Sequence, residues 1–385
     1  MSPSYDILPV TLVTGFLGSG KSTLLADLLR GDAAKDTAVL INEFGEVGLD
    51  HLLVGEVNAR TVLLDNGCVC CSIRGELKEA LATLFSQRAR GDLPPFSRVV
   101  LETTGLATPA PIMATLLADP VIRSHYALNA TVTVVDALNA AQQRARHPEW
   151  LAQVSAADRL VISKSDLADP ASVAALARML AELNPAAEVV MRASASETGD
   201  ILFAPAISTD LARRLGRVQR ELASGAVFPG FDPATSAEPA TECNGARDEG
   251  SYRTWSRDPA SLAHRRAMSS LAAPDRPAAS QDIVSFCMQI DEPIDWQVFT
   301  IWFTMLLNRH GDRILRVKGL LSIAGCAQPA VLHAVQHLVH PVLHLEVWPD
   351  ARRRSTLVFI TEGLARDIVE ASYARFRQHF EEPDH

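Results

Sequence analysis

Up to about residue 220, short apolar runs alternate with segments of helical period. Runs at 10–14, 38–42, 61–65, 98–102, 130–136, 159–163 and 188–192 are mostly continuous and rich in β-formers. Continuous runs are expected of strands covered by helices on both faces. Between them, residues 76–88 place Leu77, Ala80, Leu81, Leu84 and Phe85 on one helical face. A helix over 22–30 follows the first run and stops at Gly31, a residue suited to a helix end. The alternation predicts an α/β domain with a mostly parallel sheet over residues 1–222. The pattern then fades. Residues 223–281 are rich in Pro, Gly, Ala, Ser and charge, and read as a flexible linker or insertion. Periodicity returns with a strand at 283–290, a helix at 296–308, a strand at 313–323 and a helix at 329–340. Strands at 342–347 and 355–360 and a helix at 364–380 follow, so residues 282–385 are expected to form a smaller α+β domain.

Composition narrows the function classes. The chain has 385 residues and a formal net charge of −9, which argues against nucleic acid as a partner. No apolar run is long enough to span a bilayer, so no membrane partner is expected. Residues 1–9 lack a basic n-region. Six cysteines, three of them crowded together, suit metal or redox chemistry better than a disulfide framework, and the expected location is the cytoplasm.

Residues 15–22, Gly-Phe-Leu-Gly-Ser-Gly-Lys-Ser, fit the phosphate-binding pattern G-x-x-x-x-G-K-[ST]. The pattern lies between the first strand and the first helix, the context it needs, and specifies the fold class as a P-loop NTPase domain. Gly15, Gly18 and Gly20 let backbone N–H groups around Ser19 turn toward phosphate oxygens, and the positive helix end adds to that field. Lys21 is expected to reach the β- and γ-phosphates as a catalytic and binding group. The Ser22 hydroxyl is expected to ligate Mg²⁺, and Thr23 completes the nucleotide-binding run.

Other unusual clusters also follow strands, where open parallel sheets gather ligands. Glu102-Thr-Thr-Gly105 stands where GTPases usually have Asp-x-x-Gly. Glu102 is expected to hold a water on Mg²⁺, and the Gly105 N–H to sense the γ-phosphate. Lys164 and Asp166 form a guanine-reading pair: the carboxylate accepts from guanine N1–H and its 2-amino group. Ser163 replaces the Asn usual before this pair. Ser194 and Ala195 resemble the second base-binding loop of GTPases. Cys68, Cys70 and Cys71 are soft ligands suited to Zn²⁺ or a similar ion. They leave a tetrahedral site open for Glu43 or Glu46 from the loop at 42–46. Buried inert cysteines and a redox C-x-x-C remain as alternatives.

Taken in order, the P-loop, Asn42-Glu-Phe-Gly-Glu46, Gly67-Cys-Val-Cys-Cys71, Glu102-Thr-Thr-Gly105 and Ser163-Lys-Ser-Asp166 closely resemble the CobW-like metallochaperone GTPases. Residues 313–319, Trp348 and 357–360 resemble that family's C-terminal domain. The resemblance covers roughly 8–222 and 282–378. It implies Mg²⁺-dependent hydrolysis of GTP to GDP, coupled to binding Zn²⁺ or another metal such as cobalt as cargo and delivering it to a client metalloprotein. By that likeness Cys68, Cys70, Cys71 and Glu43 are transition-metal ligand candidates. The His-rich stretch many members carry is absent, since 223–281 holds only His264.

A different reading is a nucleotide switch whose C-terminal domain docks a partner, with the cysteines purely structural. A P-loop kinase is a third, but it leaves Lys164 and Asp166 without a role. No water-positioning Gln can be assigned. His333 and His337 sit at i, i+4 on the helix expected at 329–340, with His340 one turn further. They read more readily as solvated or packing histidines than as a chelating pair.

Overall fold

The computed structural model describes residues 7–41, 73–192, 198–206, 214–215, 283–349 and 353–381. The strand expected at 61–65, the linker 223–281, and the loops carrying Glu43, the cysteine trio, Ser194 and Ala195 lie outside these residues.

The first domain runs β1 (Leu8–Thr14), α1 (Lys21–Arg30), β2 (Thr37–Ile41), α2 (Ile73–Arg90), β3 (Arg98–Glu102), α3 (Pro109–Ala118), α4 (Pro120–Arg123) and β4 (Tyr126–Asp136). It continues with α5 (Ala140–Arg146), α6 (Pro148–Ala156), β5 (Arg159–Ser163), α7 (Pro170–Leu183), β6 (Glu188–Met191) and α8 (Thr198–Phe203). Its six described strands pair in parallel in the order β2-β3-β1-β4-β5-β6. The chain moves from β1 to one side for β2 and β3, then to the other for β4 to β6. The order therefore reverses at β1, and a crevice opens beyond that strand's carboxyl end.

Local patterning explains the layers. Val10, Leu12 and Val13 of β1 are fully buried because helices cover both faces of the sheet. Leu24, Leu25, Leu28 and Leu29 of α1 pack with Val13, Val39, Val100 and Val132 on one face. Each such leucine contributes about 1.5–3 kcal/mol of burial. Leu77, Leu81 and Leu84 of α2 pack with α3 on the other. Gly31 ends α1 as expected, though in extended rather than left-handed backbone (φ −85°).

The second domain runs β7 (Ile283–Ile290), α9 (Trp296–His310), β8 (Ile314–Leu321), β9 (Ala330–Val335), β10 (Leu338–Val339), β11 (Leu343–His344), β12 (Ser355–Glu362) and α10 (Arg366–Glu381). The strands are antiparallel in the order β10-β9-β8-β12-β7, with β11 on β9. Asp295 caps α9 by accepting from the Gln297 and Val298 N–H groups. Phe299, Trp302, Phe303, Leu306 and Leu307 of that helix fill the core with Val317, Leu332, Leu357 and Phe359.

The expected helix at 329–340 is a strand and hairpin instead, and this overturns the i, i+4 histidine pairing. Both faces of β9 are covered. Ala330, Leu332 and Ala334 face α9 and α10, while Val331 and Val335 belong to clusters shared with the first domain. A strand buried on both faces shows no polar alternation, and its Ala, Leu and His residues read equally well as helix. The two-residue turn puts Gln336 at φ 52°, without the Gly or Asn that would signal it. His337 lies on this turn, 3.0 Å from Asp312. His333 and His340 are buried at the domain contact, with their rings stacked at 3.8 Å.

The β8–β9 face docks on the first domain through charge. Asp158, between α6 and β5, accepts from the Thr131 N–H (2.9 Å) and from Lys318 Nζ (2.8 Å), and pairs with the Arg316 guanidinium. Arg316 and Lys318 are each only 1% exposed. Burial pushes the Asp158 carboxyl up, but Lys318 and Arg316 outweigh it and hold the group well below the usual carboxylate range. Burial lowers His340 from 6.5 to about 3 and His333 well below 6.5; Arg316 and Lys318 add to this, and Asp158 opposes it.

The native interface thus refuses two protons that the unfolded chain takes up below pH 6.5. Stability is expected to fall there by about 1.4 kcal/mol per pH unit for each histidine. Asp158 adds a slope of the same sign only below about pH 5, where its unfolded carboxyl, with an ordinary value of 3.8, begins to protonate. Urea unfolding between pH 7 and pH 5 measures the slope. A His333→Phe/His340→Phe variant should flatten it, and an unchanged slope would remove the histidines as its source.

Candidate functional site

The crevice beyond β1 is floored by the loop from Gly15 to Gly20. Gly15 (φ 140°) passes so close to β4 that a Cβ would lie 2.3 Å from the Val134 carbonyl oxygen. Gly20 (φ 96°) is left-handed and leads directly into α1. The amino end of α1 therefore faces the crevice. Lys21 lies over the loop, its ammonium donating to the Gly15 (2.9 Å) and Phe16 (3.2 Å) carbonyls. Ser19 is buried and Thr23 exposed.

Neighbouring strand ends supply the other groups. Glu102 closes β3, is buried, and accepts from the Ser22 hydroxyl at 3.4 Å. This hydroxyl and carboxylate are hard oxygen donors at a spacing that two ligands of one small divalent cation can adopt, so the donor set fits Mg²⁺. Thr103 is held by its N–H to the Val13 carbonyl and its hydroxyl to Thr14 Oγ1, both at 2.9 Å. Gly105 presses on the phosphate loop; a Cβ there would lie 2.6 Å from Leu17 N. On the far side of Gly105, Gln153 of α6 donates to the Gly105 and Ala107 carbonyls, both at 3.0 Å.

Ser163 ties the β5 loop to the phosphate loop: its hydroxyl donates to the Ser19 carbonyl at 2.5 Å and lies near the Val135 carbonyl at 3.2 Å. Lys164 follows in left-handed backbone (φ 55°), and its ammonium donates to Asp136 Oδ2 at 2.8 Å. Asp166 sits exposed on the short 3₁₀ turn Ser165–Leu167. Arg192, at the end of β6, pairs with Asp27 of α1, so the backbone leading to Ser194 is anchored beside the first helix.

Two residues of the site were missed in the sequence. Asp136 ends β4 and receives Lys164, the Asn139 amide (2.8 Å) and the Leu138 N–H (2.8 Å). Burial raises its pKa, but those donors outweigh the effect and hold the carboxyl below its usual value. It is therefore a fixed negative charge that orients Lys164. The strand-end rule that found Glu102 would have found it. Gln153 carries no local signal, because its partners lie 46 and 48 residues away.

Among the described residues, Gly15, Gly18, Ser19, Gly20, Lys21, Ser22, Thr23, Glu102, Gly105, Lys164 and Asp166 thus lie on loops, a strand end and the first turn of α1 at one end of the sheet. Cys68, Cys70, Cys71, Glu43, Ser194 and Ala195 lie outside the described residues. The described elements on either side of the cysteine loop are β2, whose last residue Ile41 is level with Glu102, and α2, which starts two residues after Cys71. No described helix is long and apolar enough to cross a membrane.

Comparison with known proteins gives matches along most of the chain. Residues 9–191 match the nucleotide-binding domain model of CobW/HypB/UreG, and residues 283–377 match the cobalamin synthesis protein cobW C-terminal domain. The chain is 30% identical to the zinc chaperone YjiA of Escherichia coli over 96% of its length and 99% of that protein's. It is 33% identical to zinc-regulated GTPase metalloprotein activator 1 of Schizosaccharomyces pombe, over 48% of this chain and 46% of that one. The crystal structure of Zn(II)-bound YjiA GTPase from E. coli superposes with a TM-score of 0.63 at 25% identity, covering 97% of this chain and 99% of the other.

Proposed function

The chain belongs to the CobW family, and from that membership and the site's geometry we propose that it uses GTP hydrolysis to control the binding and delivery of zinc. It is a GTPase. The observation that carries the reading is the Lys21–Ser22–Glu102 group at the sheet's switch point, with β2 ending level with Glu102. The residue roles follow from the chemistry. Lys21 leaves the two loop carbonyls for the β- and γ-phosphates and stabilises charge developing on the transferred group. Ser22, and Glu102 through a water, hold Mg²⁺, which when bound neutralises phosphate charge. The Gly105 N–H meets the γ-phosphate. Asp166 reads guanine with Lys164 steered by Asp136, and Ser194 and Ala195 supply the second base contact.

Cys68, Cys70, Cys71 and Glu43 would take Zn²⁺ as cargo, with cobalt as the other candidate. The client is a metalloprotein that receives the ion when hydrolysis relaxes the loop, the logic of switches held by a γ-phosphate. Metal and nucleotide are then thermodynamically linked. GTP should raise Zn²⁺ affinity by the same factor as Zn²⁺ raises GTP affinity, with an ordinary coupling of about 1–3 kcal/mol, roughly five- to 150-fold. Zn²⁺ titration of the full chain with GDP and with a non-hydrolysable GTP analogue measures it. Cys70→Ser should abolish the difference and keep GTP binding, because a hydroxyl is a poor soft-metal ligand. Equal Zn²⁺ affinity in both nucleotide states of the wild type would leave the cysteines as a structural staple.

A further inference from the structure

α6 touches three things that the proposed mechanism does not connect. At its amino end, the His147 ring lies 4.5 Å from the ring of Phe16, inside the phosphate loop, and Trp150 packs in the same cluster as Phe16. In its last turn, Gln153 holds the Gly105 loop through two carbonyls. At its carboxyl end, the Ser155 carbonyl accepts from Arg316 (3.3 Å), and Asp158 takes Arg316 and Lys318 of β8. Gln153 and Ser155 are two residues apart, so the group that holds the Gly105 loop and the group that holds the second domain move with one rigid turn of helix.

The end of this helix is fixed with unusual completeness. Carbonyls in the last turn of a helix lack intrahelical partners. Here Asn184, at the end of α7, donates its amide to the Val154 (2.9 Å), Ser155 (3.2 Å) and Ala157 (3.0 Å) carbonyls. The preceding residue, Leu183, accepts from Ser285 Oγ of β7 at 2.8 Å. The carboxyl end of α6 is therefore bonded to α7 and to β8, while α7 is bonded to β7. A displacement at Gln153 cannot be absorbed locally without breaking bonds to buried polar groups, each expensive to leave unmade.

Gln153 is itself fully buried, and its two donations use both amide hydrogens. Any shift of the Gly105 backbone must drag the Gln153 side chain or break a bond to it. The Gly105 segment is also wedged against Leu17 of the phosphate loop, where a Cβ would lie 2.6 Å from the Leu17 backbone nitrogen.

We propose that Gln153 is a positioning residue that ties the γ-phosphate-sensing Gly105 loop to α6, and that through this helix the β8 face of the second domain reads the nucleotide state. This rests on the nucleotide site proposed above. It adds a route by which hydrolysis reaches the second domain without any contact between that domain and the nucleotide. Both ends of the route bias one element, which is the physical requirement for coupling between separated sites.

The test uses the full chain and Gln153→Met, which keeps the volume and loses both donors. Gln153→Leu is a second variant of similar size that also lacks both donors. Two readouts are taken with GDP and with a non-hydrolysable GTP analogue: nucleotide affinity, and hydrogen exchange of the amides of β8. In wild type, β8 protection should differ between the two nucleotides. In both variants that difference should collapse and analogue affinity should fall about tenfold, with GDP affinity within about threefold of wild type, since GDP has no γ-phosphate for Gly105 to meet. Steady-state hydrolysis should show KM for GTP raised by a similar factor with little change in kcat, because the lost interaction is already made to bound GTP. Equal losses for GDP and the analogue would reduce Gln153 to a structural core residue. A β8 difference that is absent in wild type, or that survives in the variants, would overturn the route through α6. Wild-type protein that does not bind GTP at all would instead overturn the nucleotide site on which this rests.

Discussion

Lys21→Ala should weaken GTP binding by roughly 100-fold and stop turnover, while the fold persists. The ammonium is buried and makes two hydrogen bonds to loop carbonyls. Charge-assisted bonds to phosphate are worth about 1.5–3 kcal/mol each. The two carbonyl bonds surrendered on binding return part of that, leaving a net loss of about 3 kcal/mol, roughly two factors of ten in Kd. The stability effect should be small and of either sign, because the variant loses two hydrogen bonds but also a desolvated charge. Calorimetry with GTP and a thermal melt check both halves. Unchanged GTP affinity in a folded variant would remove the phosphate-loop assignment. Loss of the fold would show that the ammonium serves the loop first and the nucleotide second.

That dual role of Lys21 illustrates what was legible in the sequence. The phosphate loop could be read because its chemistry is local: three glycines, a lysine and a hydroxyl within eight residues, framed by an apolar strand and a helix. The parallel sheet was legible for a related reason, since strands covered on both faces become continuous apolar runs. The same property hid β9. It too is covered on both faces, but its Val331 and Val335 are interspersed with Ala, Leu and His, which suit a helix as well, so tertiary packing decided its conformation. Asp136 follows an apolar strand as Glu102 does, yet no Thr-Thr-Gly follows it, so the carboxylate drew no notice. Gln153 and Asp158 were beyond reach for a deeper reason. Their roles exist only through partners 27 to 160 residues away, and a single buried Gln or Asp in a sequence announces none of them.

Asp158→Ala should be the most destabilising single change at the domain contact, costing about 3–5 kcal/mol. The carboxylate is the shared partner of two buried cations, and its removal leaves Arg316 and Lys318 charged, desolvated and facing each other. The Thr131 N–H also loses its acceptor. The cost should ease above pH 8. Burial already lowers Lys318 from 10.5 to about 8 while Asp158 is present, and without that carboxylate the amine can shed its proton still more readily. Replacing the cations as well, in Asp158→Ala/Arg316→Met/Lys318→Met, should recover most of the loss, because apolar groups of similar volume carry no desolvation penalty there. Urea unfolding of the full chain, wild type against the single and triple variants, gives the comparison. A single variant within about 1 kcal/mol of wild type would mean that the apolar contacts of Val331, Val335, Leu320 and Val358 hold the domains together without the charge cluster. A single variant that unfolds in two separate steps would locate the loss at the contact itself, since each domain keeps its own core.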